Sequence, residues 1–335
     1  MALSKITNTS MADTAIHGRR NLIINGAMII DQRNSGSSVT INSGNETYVT
    51  DRFICRGETS DGVFTAEQDT TTPDDFKNSF KITVTTADSS IGATQSYLIR
   101  HRIEGQNISY LNWGFASAQK CTLSFYVRSS VTGTFGGSFN NSAFNKSYPF
   151  TYTISTADTW ERKVITVDGP TDGTWVTDNG NGIIIGWSLG AGSSRVGTAG
   201  AWASTNYQGA TGQTNLIATN SSTFYITGIQ LEVGEQATLF EHRSYGEELA
   251  LCQRYFIEDD TVYRAYTNAP ADNGSRACNF YFPTIMRAAP SMTAAVDAGT
   301  VTFSSRTING IAMTIGGSVS GNTTFTSGYT ADAEL

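Results

Sequence analysis

Three histidines occur, His17, His101 and His242, and none is spaced as HxH, HxxxH or HExxH. A zinc site needs three or four converging ligands, so no histidine-based metal site is expected. His17 falls in a polar arm, and His101 and His242 read as surface or hydrogen-bonded sheet residues. Two carboxylate pairs have the right type for glycoside hydrolysis, Glu232 with Glu241 and Asp172 with Asp178. In that reaction one carboxyl group protonates the leaving oxygen while the other acts across the bond. Nothing in the spacing sets a working separation. Asp168-Gly-Pro-Thr-Asp-Gly-Thr-Trp175 reads more simply as two successive turns. Asp178-Asn-Gly-Asn-Gly182 offers oxygen ligands for calcium, but it departs from EF-hand spacing and reads as a turn. No GxSxG or GxxxxGK[ST] motif is present. Gly190-Ala-Gly192 lacks the strand–turn–helix context of a phosphate loop. No catalytic residue, cofactor or metal is therefore assigned.

Aromatic residues are the better lead. Sugar rings present C–H faces that stack on Trp and Tyr, while neighbouring amides and carboxylates hydrogen-bond the hydroxyls. Trp175, Trp202 and Tyr207 lie in Gly-, Asn- and Asp-rich, loop-like segments and form the candidate carbohydrate contact. An exposed loop tryptophan calls for an explanation more than a strand tryptophan does. Packing of the loop or contact with a neighbouring subunit is the competing reading. Trp113, Trp160 and Trp187 read as core or strand-edge packing.

The elements that must position these residues are strands. Short runs bounded by Gly, Asn, Asp or Ser fall at 51–56, 64–68, 79–85, 97–103, 121–127, 133–139, 149–154, 161–167, 182–187 and 223–232. Asn21–Arg33 is short, apolar and β-branched, which predicts a further strand. No strand–helix alternation appears, so the expected class is mainly β: a jelly-roll sandwich over 21–243. Ser188–Asn215 reads as a long Gly-rich loop without a single Asp or Glu. One helix is predicted at 244–256. Ser244 and Glu247 form its capping box, Glu247 and Glu248 lie at its positive end, and Leu249, Cys252 and Phe256 share a face. Residues 257–335 then form a small β module, with strands at 261–266, 278–282, 300–304, 308–315 and 322–326. Residues 1–20 read as an extended arm.

Composition narrows the partners. Charged residues make up 15% of the chain, against about 25% in typical soluble domains, which suits a surface packed against copies of itself. The net charge is -7 and no lysine follows Lys163. Nucleic-acid binding needs clustered Lys and Arg, so it is not expected, and neither is an anionic membrane. No apolar run approaches a membrane span and no apolar signal core opens the chain, so membrane insertion is not expected and a cytoplasmic product is. Cys55, Cys121, Cys252 and Cys278 are far apart, which predicts buried thiols rather than a disulfide framework.

Asn21-Leu-Ile-Ile-Asn-Gly-Ala-Met-Ile-Ile-Asp-Gln-Arg33, followed by Tyr48-Val-Thr-Asp-Arg-Phe53, resembles the opening of a broad family of phage tail and fibre proteins common in marine phages. Thr223-Phe-Tyr-Ile-Thr-Gly-Ile-Gln-Leu-Glu-Val-Gly234, Ala237-Thr-Leu-Phe-Glu-His-Arg243 and Glu248-Leu-Ala-Leu-Cys-Gln-Arg-Tyr-Phe256 extend the resemblance. Phe280-Tyr-Phe-Pro-Thr-Ile-Met-Arg-Ala-Ala-Pro290 resembles the family's C-terminal module. The resemblance covers most of the chain in the expected order. It implies a carbohydrate-binding-module-like jelly roll and a virion protein made in the host cytoplasm. It also implies a homotrimer attached to other tail proteins near its N-terminus, with host-surface polysaccharide as a partner. Arg33, Arg52, Glu232, Glu241 and Arg243 lie beside apolar strands and are expected to fix the helix against the sandwich through ion pairs. Arg254 and Arg287 are expected to cap carbonyls or pair with Glu248. The leading expectation is a non-enzymatic tail-fibre or appendage protein. A purely structural adaptor or head decoration, and a polysaccharide depolymerase, are the alternatives. A free carbohydrate-binding module of a bacterial enzyme is disfavoured, because no catalytic domain or linker accompanies it.

Overall fold

The computed structural model describes residues 19–42, 44, 46–57, 61–259, 276–294, 300–316 and 328–335. Most of the N-terminal arm, with His17, and the strands expected at 261–266 and 322–326 lie outside the described residues.

In chain order the strands are β1 (Val39–Ile41), β2 (Glu46–Thr50), β3 (Phe53–Arg56), β4 (Val63–Asp69), β5 (Ser79–Thr86), β6 (Ser96–Glu104) and β7 (Cys121–Ser129). There follow β8 (Gly133–Asn140), β9 (Ser147–Ile154), β10 (Glu161–Val167), β11 (Asn181–Ala191), β12 (Val196–Gly197), β13 (Gly209–Ala210) and β14 (Thr223–Val233). Helix α1 (Tyr245–Gln253) leads to β15 (Phe256–Asp259), β16 (Arg276–Tyr281), β17 (Ser291–Ala294), β18 (Thr300–Ser304), β19 (Gly310–Gly316) and β20 (Tyr329–Asp332).

Two six-stranded sheets make the sandwich, in the orders β1-β4-β5-β14-β7-β10 and β2-β3-β6-β11-β8-β9. Every pairing within them is antiparallel. The chain passes repeatedly from one sheet to the other, as in a jelly roll. Alternation drives this: Cys121, Leu123, Phe125 and Val127 of β7 are all fully buried between the sheets. Phe125 meets Trp187 of β11 edge-on across the core, with centroids 5.9 Å apart.

Several expectations are corrected. The run expected from Asp51 starts at Phe53, because Asp51 and Arg52 form the tight turn of the β2–β3 hairpin, with Arg52 at φ 69°. The loop expected from Ser188 begins later, since β11 continues to Ala191. The rest of that segment crosses the outer face of the second sheet, where β13 packs on β8, β9 and β11. Gly136 of β8 permits this approach, because a Cβ there would fall 2.8 Å from the Ala210 nitrogen.

The third correction concerns Asn21–Arg33, which is not a strand. It lies against β14 through only two main-chain bonds, Leu22 to Leu231 and Ile229 to Gly26, and two buried asparagines add side-chain bonds. Asn21 donates to the Ile229 carbonyl at 3.1 Å and accepts from the Leu231 amide at 3.1 Å, beside the register shift of β14 between Thr227 and Gln230. Asn25 sits at φ 60°, donates to the Ile30 and Asp51 carbonyls and accepts from the Ile30 amide. Asn tolerates that left-handed conformation better than the apolar residues around it.

Ser244 caps α1 by accepting from the Glu247 amide at 3.3 Å. The helix stops at Gln253, so Phe256, expected on its face, belongs instead to β15. Cys252 is fully buried and Leu249 packs beside it. The C-terminal module contains two three-stranded antiparallel sheets, β15-β20-β17 and β16-β19-β18. Cys55, Cys121 and Cys252 are buried free thiols.

Replacing Asn25 with Ala removes three side-chain hydrogen bonds and places a Cβ-bearing residue without local partners at positive φ. Equilibrium urea unfolding should show a loss on the order of 3 kcal/mol. Asn25→Gly should recover only the backbone part. An unchanged Asn25→Ala midpoint would show that the segment is not held through this side chain.

Candidate functional site

Trp113, Trp175 and Trp202 form one cluster of edge-on rings. Their centroids lie 4.8 Å (113–175), 5.6 Å (113–202) and 5.5 Å (175–202) apart, and Tyr148 meets Trp202 at 5.2 Å. Their N–H groups are spent on main-chain carbonyls: Trp113 on Gln119, Trp175 on Asp172 and Trp202 on Asp168. The expectation of an exposed Trp175 is corrected, since it is only 8% accessible. The loops before β7 and β11 fold onto one another, with the Gly114 amide donating to the Pro170 carbonyl at 2.8 Å, and this closes over the indole. Trp202 is half-buried. Tyr207 is not part of this cluster. Its ring lies directly over Gly197, and its carbonyl accepts from Asn140 at 3.0 Å, within the segment that roofs the second sheet.

Trp113 and Trp175 nevertheless line a cleft of about 220 Å³ at this end of the sandwich, with Ser109, Asn112, Phe115, Thr174 and Thr177. Phe115 is 67% exposed and the neighbouring Tyr110 50%. No charged residue lines the cleft. The Asn112 side-chain amide and the Thr174 and Thr177 hydroxyls have no partner among the described residues. An apolar wall with neutral donors and acceptors suits the C–H face and hydroxyls of an uncharged sugar. The volume is below the roughly 300–1,000 Å³ of drug-sized sites, so it fits one ring rather than an extended chain. Phe115 escaped the sequence reading; the signal for it was an aromatic residue directly after a glycine in a turn-rich stretch.

The carboxylates considered for chemistry are engaged elsewhere. Glu232 accepts from the Thr238 amide at 3.0 Å and lies 3.7 Å from the Arg20 guanidinium, whose own amide donates to Glu241. Asp172 pairs with Lys146 at 2.6 Å. Asp178 accepts from the Gly180 amide at 2.8 Å, closing the turn. Among the described residues no group of three or more His, Cys, Asp or Glu could hold a metal ion, and no helix is long and apolar enough to cross a membrane. His101 is buried between the sheets and its Nε2 meets the Ile24 carbonyl at 3.1 Å. Burial, and then Arg52, hold it well below the ordinary histidine range.

The other charged residues singled out in the sequence, Arg33, Arg52, Arg243, Arg254 and Arg287, meet where the sandwich, α1 and the C-terminal strands join. Arg243 donates to the Ile23 and Asn21 carbonyls and pairs with Glu248 at 3.3 Å and Glu241 at 3.6 Å. Glu248 also accepts from the Asn25 amide at 2.5 Å. Arg254 pairs with Glu104 of β6 at 2.6 Å rather than with Glu248, because the helix ends before it and turns it towards the second sheet. Arg33 and Arg52 converge on Glu334. Arg33 lies 3.5 Å over the Phe256 ring and Arg52 lies 3.6 Å over that of Tyr255. Arg287 donates to the Ala333, Glu334 and Asn179 carbonyls.

No family model matches the chain, and no curated protein matches it. Among solved structures it is similar to the enzymatically active domain of tailspike protein 4 of bacteriophage CBA120, at 12% identity and a TM-score of 0.33 over 64% of this chain. It spans 21% of that tailspike chain. It is similar to a family 11 carbohydrate-binding module of a Clostridium thermocellum cellulosomal cellulase (12% identity, TM-score 0.28, covering 58% of this chain and 99% of that one). It is also similar to the N-terminal cellulose-binding domain of a Cellulomonas fimi β-1,4-glucanase (13% identity, TM-score 0.25, covering 55% and 90%). The jelly roll described above rests on its own strand order rather than on these likenesses.

Asp51 gives the junction a pH dependence. Burial pushes its carboxyl up to about 6, against hydrogen bonds from the Gln32 amide and side chain. Its folded value lies above the unfolded one, so its contribution is complete below about pH 4 and is lost as pH rises through about 6. Urea melts of the parent and Asp51→Asn between pH 4 and 7 should show the parent losing on the order of 3 kcal/mol relative to the variant. A difference independent of pH would mean that Asp51 is ionised throughout.

Proposed function

We propose that the chain is a non-enzymatic structural protein of a bacteriophage virion, a tail-fibre or tail-appendage component that meets host-surface glycan through the cleft beside Phe115. The observation that carries this reading is the junction. The segments that resemble phage tail and fibre proteins, 21–33, 48–53, 223–234, 237–243, 248–256 and 280–290, all contribute to it. They supply Asn21, Arg33, Arg52, Arg243, Glu248, Arg254 and Arg287 to one set of hydrogen bonds and ion pairs. The resembling residues are thus spent on coupling a sandwich to a terminal module, which is the task of an appendage subunit. In this reading the chain is made in the host cytoplasm and ends in the virion, three chains bundle, and residues 1–20 dock on a neighbouring tail protein. Each sugar contact is weak and repetition supplies the strength.

The packing of Trp113, Trp175 and Trp202 on one another favours the second reading, a purely structural adaptor or head decoration. A depolymerase would have to free Glu232 and Glu241 from Arg20, or Asp172 from Lys146.

Trp113 and Trp175 line the cleft, so their emission reports its occupancy. Titration with a panel of neutral oligosaccharides should shift the emission for at least one sugar. Phe115→Ala should weaken that binding about tenfold, the size of one aromatic contact. Light scattering should give the mass of three chains with and without residues 1–20. A monomer whose emission no sugar moves would leave the adaptor reading standing in place of the attachment one.

A further inference from the structure

A second cleft, of about 410 Å³, shares no residue with the one beside Phe115. It lies between the Pro73–Asn78 turn, residues 240–243 and the first turn of α1, with Ala27 and Ile29 at its edge. Phe76, Phe240, His242 and Tyr245 wall it. Phe76 meets Phe240 at 5.1 Å and His242 at 5.3 Å, and Phe240 meets His242 at 4.9 Å. The irregularity of β14 seats this group: Gly228 has φ 60°, and a Cβ there would strike the Phe76 ring at 2.6 Å.

Arg243 and Glu248 form the floor and are committed to each other and to the Asn21–Asn25 backbone. At the rim, Asp75, Lys77 and the Asn78 amide make no hydrogen bond or ion pair among the described residues. At the junction two aromatic rings are covered by the chain's own cations, Phe256 by Arg33 and Tyr255 by Arg52. No Lys or Arg among the described residues lies over Phe76, Phe240 or Tyr245. Aromatic faces carry negative charge density and attract cations. Of the charged residues that line the cleft, Asp75 and Glu248 stand against Lys77 and Arg243, and Glu248 and Arg243 pair with each other. An open aromatic cavity with an uncommitted carboxylate at its rim is complementary to a cation.

We propose that this cleft binds an alkylammonium group: the free amine of a glucosamine-type sugar or the quaternary ammonium of a choline-type substituent. The ammonium sits among the rings with Asp75 as its counter-ion, and Asn78 is placed for a neighbouring hydroxyl. Lys77, exposed at the rim, opposes the ligand's charge. The site goes beyond the attachment reading and does not depend on the cleft beside Phe115.

The full chain is titrated calorimetrically with a glucosamine tetramer, its fully N-acetylated counterpart and choline chloride. The glucosamine tetramer, choline or both should bind, with affinity falling as salt is raised, and the acetylated tetramer should not. Whichever ligand binds identifies the source of the ammonium. Asp75→Asn should weaken binding about tenfold or more, and Asn suits the φ of 70° at that position. Lys77→Ala should tighten it. Phe115→Ala should leave it unchanged, which separates this site from the other cleft. Thermal melts matching the parent establish that the variants are folded. Equal binding of the acetylated tetramer, binding indifferent to Asp75→Asn, weakening by Lys77→Ala, or no binding of any of the three would overturn the proposal.

Discussion

Glu334 receives two guanidinium groups inside the protein, and the relation between the sandwich and the C-terminal module follows from that contact. Taking three charges out of water costs several kcal/mol for each ion unless the remaining donors and acceptors are also satisfied. The surroundings meet most of this requirement, and only the Nε of Arg33 and of Arg52 is left without a partner among the described residues of this contact. Arg52 also donates to the Arg102 carbonyl and lies over Tyr255. Arg33 reaches Asp332 and lies over Phe256. The Leu335 oxygen accepts from Tyr48 and Arg102. The β2–β3 hairpin, the residues after α1 and the end of β20 therefore share one set of partners and cannot shift independently. Arg52 tolerates a left-handed backbone because its side chain is held from three sides.

What was legible in the sequence was what depends on near neighbours. The alternation of Cys121–Val127 places its own core face, and Ser244 with Glu247 marks the start of the helix. The segment Asn21–Arg33 has the apolar, β-branched residues of a strand, but it keeps only two main-chain bonds to β14 while the Asn21 and Asn25 side chains bond the backbone around them. Side chains that bond the backbone in this way compete with regular structure. Their partners, Ile229, Leu231 and Asp51, are remote in sequence.

The aromatic residues show the same division. A tryptophan in a Gly- and Asp-rich stretch reads as exposed, and Trp175 would be so if its loop stood alone. It is buried because another loop, reversed at Asn112 and Gly114, lies against it. Its neighbour Phe115, with no such cover, is left facing solvent. Phe76 and Phe240 lie on unrelated segments that meet only once β14 has its bulge. No local pattern could have paired them.

The side-chain pairing of the first described segment has a kinetic consequence. Asn21 bonds residues 208 and 220 positions away, and Arg33 reaches one 301 positions away. Closing loops of this length costs entropy before any contact repays it, and chains dominated by such contacts fold slowly. During synthesis, Leu22, Ile23 and Met28 must wait, unburied, until β14 has formed, and Ile24, Ile29 and Ile30 until Cys252 and Tyr255 follow. A protein built this way carries an apolar, aggregation-prone stretch through most of its folding. Its yield then depends on how soon residues 223–255 arrive to cover it.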